Sequence, residues 1–370
     1  MKFTVIRSRF LELLSSVQSV VPNKPSLQII SNAMFEAFED GTITLTATDL
    51  DLSVRATLAT DVKVEQPGST TLPVRKIVEI LRMAPEGEVS FDIGEDDVAR
   101  VITPAAKYRV IGMKTHQFPV IKEPDETARV FTIDRAIFRE MLRKTSYAAS
   151  TDETRRVLTG VCLRFRDNKL TMVATDGKRL SLVEQELEFA AESNCEMILP
   201  PKAVAELSRL LGGEGPMKIV GQPGQIMFDC ENFRFYSKLI EGTYVSYEAV
   251  IPTSCDERVT VNRNELISSI QRVAIMSNDK AHAVRLAFSD GSLTLSANNT
   301  EAGEASDVLP IKYAGRALSA NYNPSYIMDC IRNLDTEEIT FELNEGTGPA
   351  VLKSSGVPFL AVVMPLRIPV

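Results

Sequence analysis

One strand-then-helix pattern opens the chain and recurs twice. It reads "FTVIRSRFLELLSSVQSV" at residues 3–20, "FTIDRAIFREMLRKTSYA" at 131–148 and "VTVNRNELISSIQRVAIM" at 259–276. Each copy starts with alternating apolar and polar residues, typical of a strand, and continues with apolar residues three or four apart, typical of an amphipathic helix. The copies start 128 positions apart. Since solenoid repeats are about 20–50 residues long, this spacing predicts a domain-sized unit repeated three times.

A second recurring segment follows each copy and predicts a β-hairpin. It begins with Asp-Gly or Asp-Asn and continues with alternating apolar and polar residues, which is typical of two strands joined by a tight turn. Its three members are residues 40–54, 167–182 and 290–305. In the first member, the alternation predicts that Leu45 faces the core while Thr44 and Thr46 face water.

Two more series complete the repeat. Residues 71–83, 198–211 and 318–334 each contain a strand pattern, a proline and an amphipathic helix pattern. Residues 108–121, 233–252 and 357–370 each contain a strand pattern that ends near proline. Helices would thus cover one face of antiparallel sheets, which predicts an α+β fold.

The joins between repeats fall in polar, proline-containing stretches. These are "KEPDETAR" at 122–129 and "IPTSCDER" at 251–258. Exposed segments of this composition are where domain boundaries usually lie. We therefore predict three domains, residues 1–125, 126–253 and 254–370.

Composition excludes several classes of protein. The chain is 44% hydrophobic and 24% charged, as in soluble globular proteins. Its apolar runs are far shorter than the about 20 residues of a membrane-spanning helix, and its first residues lack the apolar core of a secretory leader. We expect a cytoplasmic protein. Five scattered cysteines and two histidines favour free buried thiols over disulfides or a metal site, so we expect no metal or cofactor.

Charge is unevenly distributed along the chain. The six predicted helices span 8–20, 74–83, 134–146, 201–211, 262–276 and 324–334. They carry thirteen basic and seven acidic residues, a net charge of +6, whereas the whole chain carries −8. Arginine and lysine favour helices in any case, so a solvated face is one explanation. The other is a helical surface that meets phosphate groups while an acidic sheet surface faces away.

The repeat carries residues that identify a family. The chain resembles the bacterial sliding clamps, the beta subunits of DNA polymerase III, along its whole length. The most specific segments are "MKFTV" at 1–5, "DETRRVLTG" at 152–160, "ATDGKRL" at 174–180, "VRLAFSDGSLTLSANN" at 284–299 and "VVMPLRI" at 362–368.

The resemblance implies a ring-shaped, head-to-tail homodimer of three clamp domains per chain, with helices inside and sheets outside. Such a ring encircles duplex DNA without reading sequence and gives the replicative polymerase processivity. It is a non-catalytic subunit. Its implied partners are duplex DNA, a second copy of the chain, the catalytic subunit of DNA polymerase III, clamp-loader subunits, and other polymerases and repair proteins that carry clamp-binding motifs.

Two other functions stay open from the residues alone. One is a scaffold that binds proteins but not DNA. The other is an enzyme that uses the carboxylates of Asp49 and Asp176, although the third repeat has Asn299 at that place, which favours a turn role. No Walker loop, GxSxG or HExxH motif supports an enzyme.

The resemblance also implies three sets of site residues. The peptide-binding pocket would comprise Leu158, Thr175, Gly177, Lys178, Arg179, Leu180, Val245, Val250, Val362, Val363, Met364, Pro365, Leu366 and Arg367. DNA would meet Lys24, Arg155, Arg156, Lys202, Arg209, Lys280 and His282. The dimer interface would join Lys76, Ile80, Lys107 and Tyr108 of one chain to Ile275, Met276, Glu301 and Glu304 of the other.

The apolar C-terminal stretch has two expected roles. We expect residues 357–361 to form an edge strand of the third domain. We expect Met364–Arg367 to form one wall of the pocket, since exposed apolar segments usually mark interaction sites. The chain departs from the common family pattern at Val245, where proline is frequent, at Ala249, where arginine can occur, and at Lys178, where histidine is common.

Overall fold

The computed structural model describes residues 1–277, 282–344 and 348–367. Within these ranges the chain forms seven α-helices: α1 Arg7–Gln18, α2 Val74–Met83, α3 Arg135–Thr145, α4 Arg156–Thr159, α5 Pro201–Leu210, α6 Arg263–Ala274 and α7 Pro324–Arg332. All six predicted helices are confirmed. The additional helix, α4, is a single turn, too short to show an apolar period in the sequence.

Twenty-five strands are found in the described part of the chain. Those of the first half are β1 Lys2–Ile6, β2 Ala33–Ala37, β3 Ile43–Thr48, β4 Leu52–Leu58, β5 Val62–Gln66, β6 Gly68–Leu72, β7 Glu88–Ile93, β8 Val98–Ile102, β9 Lys107–Ile111, β10 Arg129–Asp134, β11 Val161–Arg166, β12 Lys169–Thr175 and β13 Arg179–Glu186. Those of the second half are β14 Cys195–Leu199, β15 Pro216–Gln222, β16 Gln225–Cys230, β17 Phe233–Lys238, β18 Glu257–Asn262, β19 Val284–Ser289, β20 Ser292–Asn299, β21 Gly303–Pro310, β22 Leu318–Tyr322, β23 Glu338–Leu343, β24 Ala350–Lys353 and β25 Phe359–Val363. Every named pair of strands is antiparallel, which together with the helices confirms the α+β class.

The chain divides into two compact units. The first comprises Met1–Ala136 and Ala205–Leu239, and the second comprises Ile137–Val204 and Ile240–Val370. The first contains a five-stranded sheet, β5-β1-β7-β8-β9, and an eight-stranded sheet, β10-β15-β16-β17-β4-β3-β2-β6. The second contains an eight-stranded sheet, β14-β11-β12-β13-β25-β24-β23-β18, and a four-stranded sheet, β21-β20-β19-β22. Each eight-stranded sheet combines strands from two successive repeats.

Aromatic packing fixes helix α1 in the first unit. The helix buries Phe10, Leu13, Leu14 and Val17 on one face. The ring of Phe10 lies edge-on to the ring of Phe91, with centroids 5.3 Å apart, and the Phe91 ring stacks on Phe3 at 4.8 Å. Phe3 is in β1 and Phe91 is in β7, so the apolar face of the helix packs against two inner strands of the five-stranded sheet.

The predicted exposure of two threonines is wrong. Thr44 is 6% exposed and Thr46 is fully buried, although both lie on the face of β3 opposite Leu45. Strand β3 is an inner strand, and the residues in register beside Thr46 are Met34 and Arg55. Because these two long side chains flank a short one, they cover it even on a polar sheet face.

The described residues hold no grouping of three or more His, Cys, Asp or Glu side chains suited to a metal ion. The five cysteines are free: Cys162, Cys230 and Cys330 are buried, and Cys195 and Cys255 are partly buried. Among the described residues, no helix is both long and apolar enough to cross a membrane.

Candidate functional site

An open apolar cavity of about 270 Å³ lies in the second unit. Its lining comprises Leu158, Thr175, Gly177, Lys178, Arg179, Leu180, Val245, Ser246, Tyr247, Val250, Val362 and Met364. Leu180 and Val362 are almost completely buried, whereas Val245, Val250 and Met364 are 39–49% exposed. The cavity therefore has a fixed apolar floor and an apolar rim that is open to solvent.

A tightly bonded turn between β12 and β13 forms one side of the cavity. The hydroxyl of Thr175 donates to the carbonyl of Arg179 (2.6 Å), and the Asp176 carboxylate accepts from the amides of Lys178 (2.8 Å) and Arg179 (2.9 Å). Gly177 has φ +85°, a left-handed conformation that glycine adopts without steric cost. The "ATDGKRL" segment therefore forms a hydrogen-bonded turn. A turn role for Asp176, rather than a catalytic one, is what the sequence favoured.

The guanidinium of Arg179 is engaged within the unit rather than free at the rim. It is paired with Asp176 (3.3 Å) and with Asp329 of α7, and it donates to the carbonyl of Tyr147 (2.7 Å). It also lies 4.8 Å from the ring centroid of Tyr326. Burial lowers the pKa of Arg179, but its hydrogen bond and charge interaction with Asp329 outweigh burial and raise it. Arg179 therefore ties the turn to α7.

Two buried tyrosines support the floor. The phenolic oxygen of Tyr244 accepts a hydrogen bond from the amide of Thr175 (3.2 Å), and that of Tyr247 accepts one from Arg164 (3.0 Å). Burial raises the pKa of both phenols, that of Tyr247 to about 12, so both are neutral at physiological pH. Arg164 stacks over the Tyr247 ring at 5.3 Å and pairs with Glu248.

The C-terminal stretch forms the opposite side of the cavity. Strand β25 pairs with β13 on one side and β24 on the other. The prediction that residues 357–361 form an edge strand is therefore wrong. Strand β25 is an inner strand that joins two repeats into one sheet. Beyond it, the amide of Met364 donates to the carbonyl of Lys178 (2.9 Å), and the amide of Leu366 donates to that of Asn321 (2.7 Å).

Ten of the fourteen residues expected in the pocket line the cavity. Val363, Pro365, Leu366 and Arg367 do not line it, and Val363 is buried. Ser246 and Tyr247 line it although the sequence interpretation passed over them. Their place in the sequence could have indicated them, because both lie between Val245 and Val250, which were expected in the pocket.

The structure describes six of the seven residues expected to meet DNA, and all six are exposed. Lys24, Arg156, Lys202 and His282 are exposed, whereas Lys280 lies outside the described residues. Arg155 and Arg209 are exposed as well, but each also makes a hydrogen bond within the fold. Arg155 donates to the carbonyl of Asp176 (2.9 Å), and Arg209 donates to the carbonyl of Ser16 (2.9 Å).

The residues expected at the dimer interface are placed on two sheet edges and on helices. Lys107 and Tyr108 lie in the edge strand β9 of the first unit, and Glu304 lies in the edge strand β21 of the second. Glu301 lies just before β21 and is exposed. Ile275 is 77% exposed, so it does not belong to the core.

The other three interface candidates are on or just after helices. Lys76 is exposed on α2 and pairs with Glu79 (2.8 Å). Ile80 on α2 is half-buried. Met276 follows α6 and is half-buried as well.

Comparisons with known proteins cover the whole chain. Residues 1–122, 132–246 and 248–367 match the N-terminal, central and C-terminal domains of the DNA polymerase III beta subunit. The beta sliding clamp of Escherichia coli is 30% identical over 371 residues, with 100% of both chains covered. The boundaries that we placed after residues 125 and 253 stay predictions.

Solved structures are similar over the same extent. The DNA polymerase III subunit beta of Pseudomonas aeruginosa has a TM-score of 0.94 at 29% identity, and a sliding clamp from Bartonella birtlesii bound to griselimycin has a TM-score of 0.92 at 32% identity. Both cover 100% of this chain and of their own. With three matched domains and full-length relatives, the chain belongs to the family of bacterial DNA polymerase III beta subunits, the sliding clamps.

Proposed function

We propose that two copies of this chain close head to tail into a ring around duplex DNA and tether the replicative polymerase to its template. The observation that carries the proposal is the match of all three domains to the sliding-clamp family. Retention on DNA would come from ring closure rather than from affinity. No catalytic step is required, and the carboxylate of Asp176 is occupied as a turn acceptor.

Two sheet edges support the mode of closure. Strands β9 and β21 are at the ends of their sheets, and an edge strand presents unpaired backbone groups that can bond to another chain. Pairing β9 of one copy with β21 of the other would bring Lys107 towards Glu304. A contact between different surfaces closes into a ring when its rotation fits.

The cavity supports the tethering role. Its buried floor and exposed apolar rim are suited to a short hydrophobic peptide segment, and the flexible side chain of Met364 adapts to segments of different shape. The proposed partners are the polymerase III catalytic subunit, clamp-loader subunits, and other polymerases and repair proteins that present such segments. They would compete for one cavity per chain.

The test is retention on DNA of different topology. The protein is loaded by a clamp loader and ATP onto a nicked circular plasmid, and the plasmid is then linearised. We expect the bound protein to dissociate on linearisation and to stay on the circle, and blocking both ends of the linear DNA should restore retention. Equal retention on circular and open linear DNA would contradict encirclement. An absence of DNA association in every case would favour a DNA-independent scaffold, which the sliding-clamp relatives do not favour.

A further inference from the structure

The turn that borders the cavity has a counterpart in the first unit. The β3–β4 turn begins at Thr48, whose hydroxyl donates to the carbonyl of Leu52 (2.9 Å), as the hydroxyl of Thr175 does to the carbonyl four residues later. The Asp49 carboxylate accepts from the amides of Asp51 (2.9 Å) and Leu52 (2.7 Å), as Asp176 does in the other turn. The two turns share one backbone framework.

The strand beside each turn is also equivalent. The amide of Lys238, at the end of β17, donates to the carbonyl of Asp51 over 2.9 Å. The amide of Met364, just after β25, makes the equivalent bond to the carbonyl of Lys178 over the same distance. Tyr236 is opposite Ser53 in the register of β17 and β4. Lys238 therefore occupies the place of Met364, and Tyr236 that of Val362.

A cleft of about 190 Å³ lies in this second framework. Two apolar residues on its lining are exposed: Val120 is 95% exposed and Leu50 is 40% exposed. Leu50 has φ +81°, in the left-handed region that Gly177 adopts in the other turn. A side chain with a Cβ is unfavourable there, and yet the turn carries a leucine at the mouth of the cleft.

Basic side chains flank the exposed apolar residues. Lys122 and Lys238 both line the cleft. Lys238 pairs with Asp51 (3.0 Å), but both side chains are more than 60% exposed, so the pair is weak and a ligand carboxylate can replace Asp51. The Tyr236 hydroxyl already donates to Glu123 (3.0 Å), so the two lysines are the groups that a ligand carboxylate would meet, and Asp51 is the acidic lining residue that it would displace at Lys238.

We infer that this cleft is a second peptide-binding site, for a short extended segment that places an aliphatic side chain on Leu50 and Val120 and a carboxylate at Lys122 and Lys238. It is smaller than the first cavity, and its lysine and tyrosine replace a methionine and a valine. It should therefore bind more weakly and require an acidic residue. The inference rests on the proposed function only in taking the first cavity as a peptide site.

The test uses photo-crosslinking on the full-length dimer. The probe is an acetylated, amidated Leu-Asp-Leu-Asp peptide that carries a benzophenone group, and the matched probe is Leu-Lys-Leu-Lys. Cross-linked fragments are identified by mass spectrometry after titration to about 1 mM. We expect saturable labelling of the fragments that contain Val120 or Tyr236, and labelling by the lysine probe about fivefold weaker.

Three variants separate the two sites. Val120→Asp and Lys238→Glu should each reduce labelling of the cleft about fivefold and leave labelling of the first cavity unchanged, while Val250→Asp should do the reverse. All three positions are exposed, so the fold should be kept. Labelling of the cleft that does not saturate, that ignores both variants, or that is equal for the two probes would overturn the inference. Saturable labelling of the cleft without any labelling of the cavity would instead contradict the proposed role of the cavity.

Discussion

The amide of Met364 donates to the carbonyl of Lys178 over 2.9 Å, so the C-terminal stretch is bonded directly to the turn across the cavity. Since Met364 is 39% exposed and lines the cavity, its side chain is available to a ligand. The backbone bond fixes the wall, and the flexible side chain adjusts to the peptide.

Truncation of this side chain should weaken peptide binding. We expect Met364→Ala to reduce affinity for a clamp-binding peptide of the polymerase by about fivefold, or about 1 kcal/mol, because the rim then offers less apolar surface to the peptide. Fluorescence anisotropy of the labelled peptide measures this. Met83→Ala is the matched control, since Met83 on α2 is 85% exposed and does not line the cavity. Equal affinity of the two variants would contradict a binding role for Met364.

Deletion of residues 364–370 should abolish binding of the same peptide. Strand β25 ends at Val363 and keeps its pairing with β13 and β24, so we expect the fold and the dimer to be retained. Thermal unfolding and sedimentation check those two properties. Wild-type affinity in the truncated protein would mean that the stretch has only a structural role.

Arg179 should act as a positioning residue. Its guanidinium is held by Asp176, Asp329 and the carbonyl of Tyr147, so it would orient the turn rather than contact the ligand. We expect Arg179→Ala to cost about 3 kcal/mol of stability, because it leaves partly buried carboxylates unpaired.

Asp329→Asn distinguishes positioning from direct contact. Asp329 does not line the cavity, so this substitution removes the charge partner of Arg179 without changing a lining residue. If Arg179 positions the turn, Asp329→Asn should weaken peptide binding and lower the unfolding free energy by about 1 kcal/mol. If Arg179 binds the ligand directly, freeing it from Asp329 should leave affinity unchanged or improve it. Titration of the peptide against both variants decides between the two roles.

Local patterns could predict the helices and turns, whereas pairing between repeats could not be predicted. The apolar spacing of Phe10, Leu13 and Leu14 is a property of one segment, and the helix follows from it. The burial of Thr46 and the inner position of β25 depend on strands far away in sequence, which no local period encodes. The engagement of Arg179 is equally nonlocal, because Asp329 lies 150 positions away.

Acid should destabilise the second unit partly through Glu140. Hydrogen bonds from Arg143 lower the pKa of Glu140 to about 2, against the opposing effect of burial and with further help from Lys144. A depressed carboxyl pKa stabilises the fold above the unfolded value of 4.5, and this contribution disappears as pH falls from about 4.5 to 2.

Glu140→Gln tests this contribution. Because the Glu140 side chain is 37% exposed, we expect the variant to lose only about 1 kcal/mol at about pH 7. The difference from wild type should shrink as pH approaches 2. Urea unfolding at a series of pH values measures it. A difference that does not change with pH would contradict the assignment to this carboxyl group.

Ring closure should depend on the exposed end of α6. Ile275 is 77% exposed, so its replacement should cost the monomer little, within about 0.5 kcal/mol. We expect the double variant Ile275→Ala, Met276→Ala to weaken dimerisation about a thousandfold, because each of the two interfaces loses two apolar side chains. Sedimentation measures the change. Ile137→Ala, at a helix position that is 41% exposed, is the control and should stay dimeric; an unaffected double variant would contradict this interface.

Binding to DNA should depend on the exposed lysines Lys24 and Lys202. Lys24, Lys202 and Arg209 are all exposed, but Arg209 is also bonded to Glu206 (3.0 Å) and to the carbonyl of Ser16, so its replacement would disturb the fold as well. We expect Lys24→Glu and Lys202→Glu to weaken binding to a short duplex at low salt. The slope of log affinity against log salt concentration should fall by about 0.9 for each phosphate that the protein no longer neutralises.

The matched control for these variants is Lys63→Glu, which makes the same charge change at an exposed position on strand β5. It should change the salt slope less than Lys24→Glu does. Arg209→Glu should lower the unfolding temperature as well as DNA affinity, because it breaks bonds within the first unit. Anisotropy of a labelled duplex and sedimentation are measured on every variant, and we expect all of them to remain dimers. A salt slope that is the same for Lys24→Glu, Lys202→Glu and wild type would remove both lysines from the DNA-binding surface, because a protein that neutralises fewer phosphates must release fewer counterions.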